Sequence, residues 1–153
     1  MPHCYYESPI GILRIIENGN GIAMIKFVTD PKEQLHTTEA NTLLLKEAVQ
    51  QLSEYFAGKR KEFSLPLDLR GTDFQLRTWN ALRDIPYGET RTYKQIAEAI
   101  GSPKGCRAVG LANNRNPVSI VVPCHRVIGA NGNLIGYAGG LEKKEQLLAL
   151  EKK

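Results

Sequence analysis

Pro117 and Pro123 bracket the apolar run Val118-Ser119-Ile120-Val121-Val122, and this bracket constrains the fold more than any other stretch of the chain. Each proline fixes its own φ and removes a backbone donor, which bars the segment from a helix interior and from the centre of a sheet ladder. The run is far too short to cross a bilayer. It reads as a short, buried, extended segment with a rigid end. The residue delivered there is Cys124, with His125 and Arg126 directly behind it.

A thiol is a weak nucleophile until it loses its proton, and a cationic or proton-accepting neighbour promotes that loss. His125 and Arg126 are such neighbours in sequence. The competing reading is a structural cysteine, because free cysteine is among the most buried residue types. Cys4 and Cys106 lie far from Cys124 and make the total odd, so no disulfide framework is expected. His3, Cys4 and His36 lack the paired spacing of metal ligands, and no metal site is expected.

The 153 residues suffice for one sizeable domain or two small ones. No apolar run reaches membrane length and no basic leader precedes an apolar core, so a cytoplasmic protein without a membrane partner is expected. The net charge of +4 is unevenly placed. Residues 1–70 carry 8 Lys+Arg against 9 Asp+Glu, and residues 71–153 carry 12 against 7. The basic excess falls in the half that holds Cys124, which suits a polyanionic partner such as DNA.

The first half reads as a sheet with one helix. Residues 3–28 predict three short strands, with Ser8-Pro9-Ile10-Gly11 and Asn18-Gly19-Asn20-Gly21 as turns. Residues 41–57 predict an amphipathic helix carrying Leu44, Leu45, Ala48, Val49, Leu52, Tyr55 and Phe56, with Gly58 as its stop. Phe63 to Leu69 reads as a last strand or extended linker. Arg70-Gly71-Thr72 is the expected boundary, giving domains 1–70 and 71–153.

Beyond it, Phe74 to Leu82 predicts a helix capped by Thr72 or Asp73. Thr92 and Gln95 fit a capping box for a second helix that runs to about Ile100 and stops at Gly101. Ser102-Pro103-Lys104-Gly105 is a turn, and a third helix follows over about Cys106 to Asn113. Two short helices around a tight turn make a helix-turn-helix. Its second helix is rich in small residues, which fits either close approach to a groove or close helix packing. Gly129 to Asn133 reads as a hairpin turn, the wing of a winged helix. Leu141 to Glu151 is a final amphipathic helix with Leu141, Leu147, Leu148 and Leu150 apolar.

Pro123-Cys124-His125-Arg126-Val127, preceded by Asn116-Pro117, resembles the active-site signature of the O6-alkylguanine-DNA alkyltransferases (methylated-DNA–protein-cysteine methyltransferases). Further matches run in order from about Phe74 to Glu151. The resemblance implies an α+β fold, with a small ribonuclease-H-like α/β N-terminal support domain followed by a winged helix-turn-helix C-terminal domain. It implies single-turnover transfer of an alkyl group to Cys124 itself from O6-alkylguanine in double-stranded DNA, with O4-alkylthymine as a further candidate. No cofactor and no metal are implied, and the protein is expected to be a monomer.

The resemblance also assigns roles. Glu151 orients His125, which acts through a water on Cys124, and Asn116 holds the active-site turn. The target base lies inside the duplex, so it must be flipped out. Tyr93 helps expel the nucleotide, Arg107 fills the gap, and Lys94, Ser102 and Ala108 join them in binding DNA through its minor groove. Val127 and Tyr137 line the guanine pocket. Three positions depart from the family pattern: Ala138 stands where many members have serine, Cys106 where a small residue is usual, and Leu111 where some carry glycine. Two rival readings are a non-catalytic module that binds alkylated DNA and a cysteine hydrolase that turns over.

Overall fold

Asn18-Gly19-Asn20-Gly21 reverses the chain because Gly19 takes φ +88° and the Asn18 amide donates to the Gly21 carbonyl at 3.2 Å. This turn joins two of the three strands in the N-terminal unit. The computed structural model describes residues 1–30, 32, 40–137 and 139–152. His36 and Ala138, singled out in the sequence, lie outside the described residues. The chain divides into two compact units, Met1–Leu69 and Arg70–Lys153.

In the first unit, β1 (His3–Ser8), β2 (Gly11–Glu17) and β3 (Ile22–Phe27) form an antiparallel sheet in that order. Its register pairs Cys4 with Ile15 and Ile15 with Ile25, and a bulge falls at Ile16/Glu17. Helix α1 (Leu43–Phe56) is capped by Thr42, whose hydroxyl accepts from the Leu45 amide at 3.1 Å. It packs on β1 and β2 through Leu45, Ala48, Leu52 and Tyr55, all fully buried. Gly58, at φ +75°, follows the helix as its stop. The segment after α1 is extended and pairs with β3 at one bridge, Ile22 with Leu67. That approach requires Gly21, since a Cβ there would lie 2.9 Å from the Leu67 carbonyl carbon.

In the second unit, α2 (Asp73–Arg83) and α3 (Tyr93–Ala99) both begin with complete capping boxes, Thr72 with Gln75 and Thr92 with Gln95. Helix α4 (Cys106–Asn114) follows the turn after Gly101. The buried Trp79 indole on α2 donates to the Ala112 carbonyl on α4 at 2.9 Å, which ties the helix-turn-helix to its support. A 3-10 turn (Cys124–Arg126) leads into β5 (Val127–Ile128), which runs parallel to β4 (Arg91–Thr92). This two-residue ladder sets the start of α3 beside the end of the cysteine segment. Helix α5 (Leu141–Glu151) closes the unit. No helix among the described residues is long and apolar enough to cross a membrane.

Three expectations need correction. The proline-bracketed run is buried, but it is a tight turn rather than an extended segment. Val122 N donates to Val118 O at 3.0 Å, and Ile120 sits at φ +74°. A β-branched residue in that region is strained, so the surroundings must hold it there. The turn at Gly129 to Asn133 exists, closed by Gly129 N to Asn133 O at 2.8 Å, but no antiparallel strands flank it among the described residues. The stripe that α5 buries is Lys144, Leu147 and Glu151, while Leu141 is exposed.

Candidate active site

Asn116 builds the turn that carries Cys124. Its amide nitrogen donates to the Val122 carbonyl at 2.8 Å, and its side-chain oxygen accepts from the Val118 amide at 3.0 Å. One buried side chain thus ties both ends of the strained turn. From the other side, the Asn113 amide on α4 donates to the Cys124 carbonyl at 3.3 Å. Cys124 is itself buried. Burial pushes its thiol up to about 11, with the Asn116 side chain and the Lys144 charge pulling the other way. The ground state is therefore the thiol, and a base must take its proton for it to attack.

The adjoining residue can do this. His125 is completely buried, and its Nε2 lies 2.6 Å from Glu151 Oε2. Glu151 is also held by Arg126, through Nε to Oε1 at 2.8 Å and Nη2 to Oε2 at 3.0 Å, and it accepts from the Gly88 amide at 3.3 Å. A carboxylate so paired stays ionised and accepts, so His125 donates from Nε2. Its Nδ1 is left with the lone pair, buried and without a partner in the structure. Burial lowers the His125 pKa and outweighs the opposing pull of Glu151, so the ring is neutral near pH 7. A neutral, oriented imidazole beside a protonated thiol is the arrangement of a base and its nucleophile.

Val127 and Tyr137 are buried as well. The Tyr137 hydroxyl lies near Cys124 and Ser119 but closes no hydrogen bond of good geometry with either. Tyr93 opens α3, and its hydroxyl donates to the Ile135 carbonyl at 2.6 Å. Its ring covers Gly110 on α4, where a Cβ would sit 3.8 Å from the ring edge. Lys94, Arg107 and Ala108 are exposed and Ser102 is half-buried. The residues singled out in the sequence therefore fall into a buried group around Cys124 and a group on the accessible face of the helix-turn-helix.

Sequence reasoning missed two contributors. In sequence Arg126 is only a neighbour of the thiol, whereas its guanidinium fixes Glu151. Lys144 is hidden in sequence among the leucines of α5. The signal was present: three residues back and four forward from Leu147 lie Lys144 and Glu151, one helical face. Among the described residues no cluster of His, Cys, Asp or Glu could hold a metal ion.

Comparison with known proteins gives this geometry a setting. Residues 1–69 match the ribonuclease-like domain of 6-O-methylguanine DNA methyltransferase, and residues 73–153 match its DNA binding domain. The chain is 52% identical to a methylated-DNA--protein-cysteine methyltransferase of Methanosarcina acetivorans, over 99% of this chain and 98% of that protein. It is 53% identical to one of Mycolicibacterium paratuberculosis, over 96% and 90%. The crystal structure of Mycobacterium tuberculosis O6-methylguanine methyltransferase superposes with a TM-score of 0.87 at 49% identity, covering 98% of this chain and 92% of that one. A crystal structure of Mycobacterium tuberculosis OGT in complex with DNA gives 0.89 at 49% identity, with the same coverage.

Proposed function

This chain belongs to the 6-O-methylguanine DNA methyltransferase family, matched in both of its domains, and we propose that Cys124 is the sulfur that receives the alkyl group. The protein is a methylated-DNA–protein-cysteine methyltransferase that binds DNA and repairs it by direct alkyl transfer. The observation that carries the assignment of Cys124 is the buried chain from its neighbour His125 to Glu151, 2.6 Å across, which leaves a basic ring nitrogen free.

The substrate is double-stranded DNA containing O6-alkylguanine, acted on by a monomer. The flipped guanine enters beside Val127 and Tyr137. The Cys124 proton passes through a water to Nδ1 of His125, and Glu151 stabilises the resulting imidazolium. The sulfur then displaces the alkyl carbon from O6, so an S–C bond forms as the C–O bond breaks; the base leaves as its anion and takes up one proton, matching the one lost by the thiol, to restore guanine. The thioether C–S bond is stable toward displacement, so each chain acts once. Tyr93 and Arg107 manage the extruded nucleotide and the gap it leaves, with Lys94, Ser102 and Ala108 against the DNA.

Intact-mass measurement after incubation with O6-benzylguanine tests this. One benzyl adduct, located on Cys124 and absent from Cys124→Ala, is expected, and Cys124→Ala should still bind alkylated duplex. A reduced sample that stays at its starting mass overturns the reading.

A further inference from the structure

Asn113 is a buried amide with one end in use and the other idle. It lies on α4 with its side chain in the interior. Its Nδ2 donates to the Cys124 carbonyl at 3.3 Å. A carbonyl only accepts, so the amide atom that faces it is the nitrogen and the other is the oxygen. That oxygen, Oδ1, is buried and has no hydrogen-bond partner among the described residues. An acceptor stranded in the interior is costly and calls for a reason. Oδ1 and Nδ2 end one planar amide, so the bond to Cys124 holds the idle acceptor beside the reacting residue. His125 Nδ1 cannot satisfy it, because in the neutral ring that nitrogen is an acceptor too. The Tyr137 hydroxyl is a donor, yet it makes no hydrogen bond to Oδ1 either. The missing donor is one that arrives with the substrate.

We propose that Asn113 is a specificity-determining residue, whose Oδ1 accepts a hydrogen bond from the exocyclic 2-amino group of the flipped O6-alkylguanine. A flipped base is read through hydrogen bonds to its Watson–Crick edge. Alkylation at O6 fixes guanine in the lactim form, which strips N1 of its hydrogen. The 2-amine is then the one donor left on that edge, and an acceptor is what it requires. O4-alkylthymine has no such donor, since alkylation strips N3 likewise and the ring carries no exocyclic amine. In the same pocket it would leave Oδ1 stranded. The idle oxygen thus favours alkylated guanine over alkylated thymine, as a site built around a hydrogen bond rejects the analogue that lacks it.

The inference rests on the alkyl-transfer reading and names an atom that selects its substrate. Its test compares single-turnover rates with free O6-benzylguanine and with O6-benzylhypoxanthine, the same base without the 2-amine, for the wild type and Asn113→Leu. Leucine matches the shape of asparagine and offers no acceptor. The guanine-to-hypoxanthine rate ratio should fall about tenfold from the wild type to Asn113→Leu, the fold-change of one hydrogen bond to a buried acceptor. A merely structural asparagine, or one whose Oδ1 holds a resident water, would slow both substrates alike and leave the ratio unchanged, which overturns the proposal. Should Asn113→Leu fail to fold, a crystal structure of the Cys124→Ala chain with duplex containing O6-methylguanine decides. The 2-amine nitrogen should lie within about 3.2 Å of Oδ1, and an amine beyond bonding distance of it overturns the proposal. A wild type that gains no adduct would sink the alkyl-transfer reading itself. A wild type that reacts while Asn113→Leu keeps the same ratio sinks only the role of Asn113.

Discussion

Arg126 grips Glu151 through two nitrogens, Nε at 2.8 Å and Nη2 at 3.0 Å, with both side chains in the interior. The arrangement sets a direction. The guanidinium keeps the carboxylate charged, the charged carboxylate accepts from His125 Nε2, and the histidine is left basic at Nδ1. Arg126 acts two steps from the sulfur, yet the protonation pattern of the site depends on it.

Removing one partner of a buried ion pair leaves the other charge uncompensated. Arg126→Met should therefore lower the unfolding free energy by about 3 kcal/mol, the lower end of the range for such pairs. The loss includes the bond from its Nη1 to the Ile85 carbonyl at 2.7 Å. Urea denaturation measures it. A change below about 1 kcal/mol, the scale of an exposed pair, would show that Glu151 is rescued by solvent.

The pH dependence follows from His125, whose folded pKa lies below the ordinary value of 6.5 because of burial. Between those two values the unfolded chain binds more protons, so stability rises with pH across that window. This contribution is complete above 6.5 and is lost as pH falls through the folded value. Benzylguanine reactivity should share the acid limb and level off near neutrality. In His125→Gln the thiol must ionise unaided near 11. Its rate at pH 7 should fall by about 10²–10⁴-fold, the usual contribution of a general base, and climb steadily toward alkaline pH. A variant rate that is flat from pH 7 to 10 would remove His125 from the base role.

Much of the fold was legible because local signals agree with it. Thr72 with Gln75 and Thr92 with Gln95 announce helix starts, and both capping boxes form. Gly19 marks a turn that needs positive φ. Two things were not legible. Burial of Glu151 depends on Arg126 reaching it across a helix and a turn, a tertiary event with no local pattern. The turn through Ile120 hides because the residue there is β-branched, a type that by itself argues for a strand. Asn116, bonding both ends, reinforces the backbone bond from Val122 to Val118 that closes the other conformation.

Asn116→Ala removes both bonds at once, leaving the Val118 amide without its acceptor in the interior and the Val122 carbonyl with the Cys124 amide at 2.8 Å. The expected loss of stability is about 1–3 kcal/mol, the cost of the one stranded amide. The turn should also relax toward ordinary φ at Ile120 and carry Cys124 away from His125. Alkyl transfer should then fall further than the folded fraction does. Comparing the two in the same sample, by unfolding and by adduct yield, checks the point. Equal decline in both would make Asn116 a stabiliser and nothing more.

Arg107 stands exposed near the start of α4, beside exposed Ala108. Two roles fit that place, and salt separates them. A phosphate contact would give up roughly one unit of salt slope when lost and weaken all duplex binding alike. A side chain that occupies the gap left by a flipped base matters only while the base is out. Arg107→Ala should therefore slow transfer from alkylated duplex about tenfold or more, matching an unstacking cost of a few kcal/mol that is no longer offset. It should leave reaction with free O6-benzylguanine, which needs no flipping, near the wild-type rate and change the salt slope little. Equal losses on duplex and free base would end the gap-filling assignment.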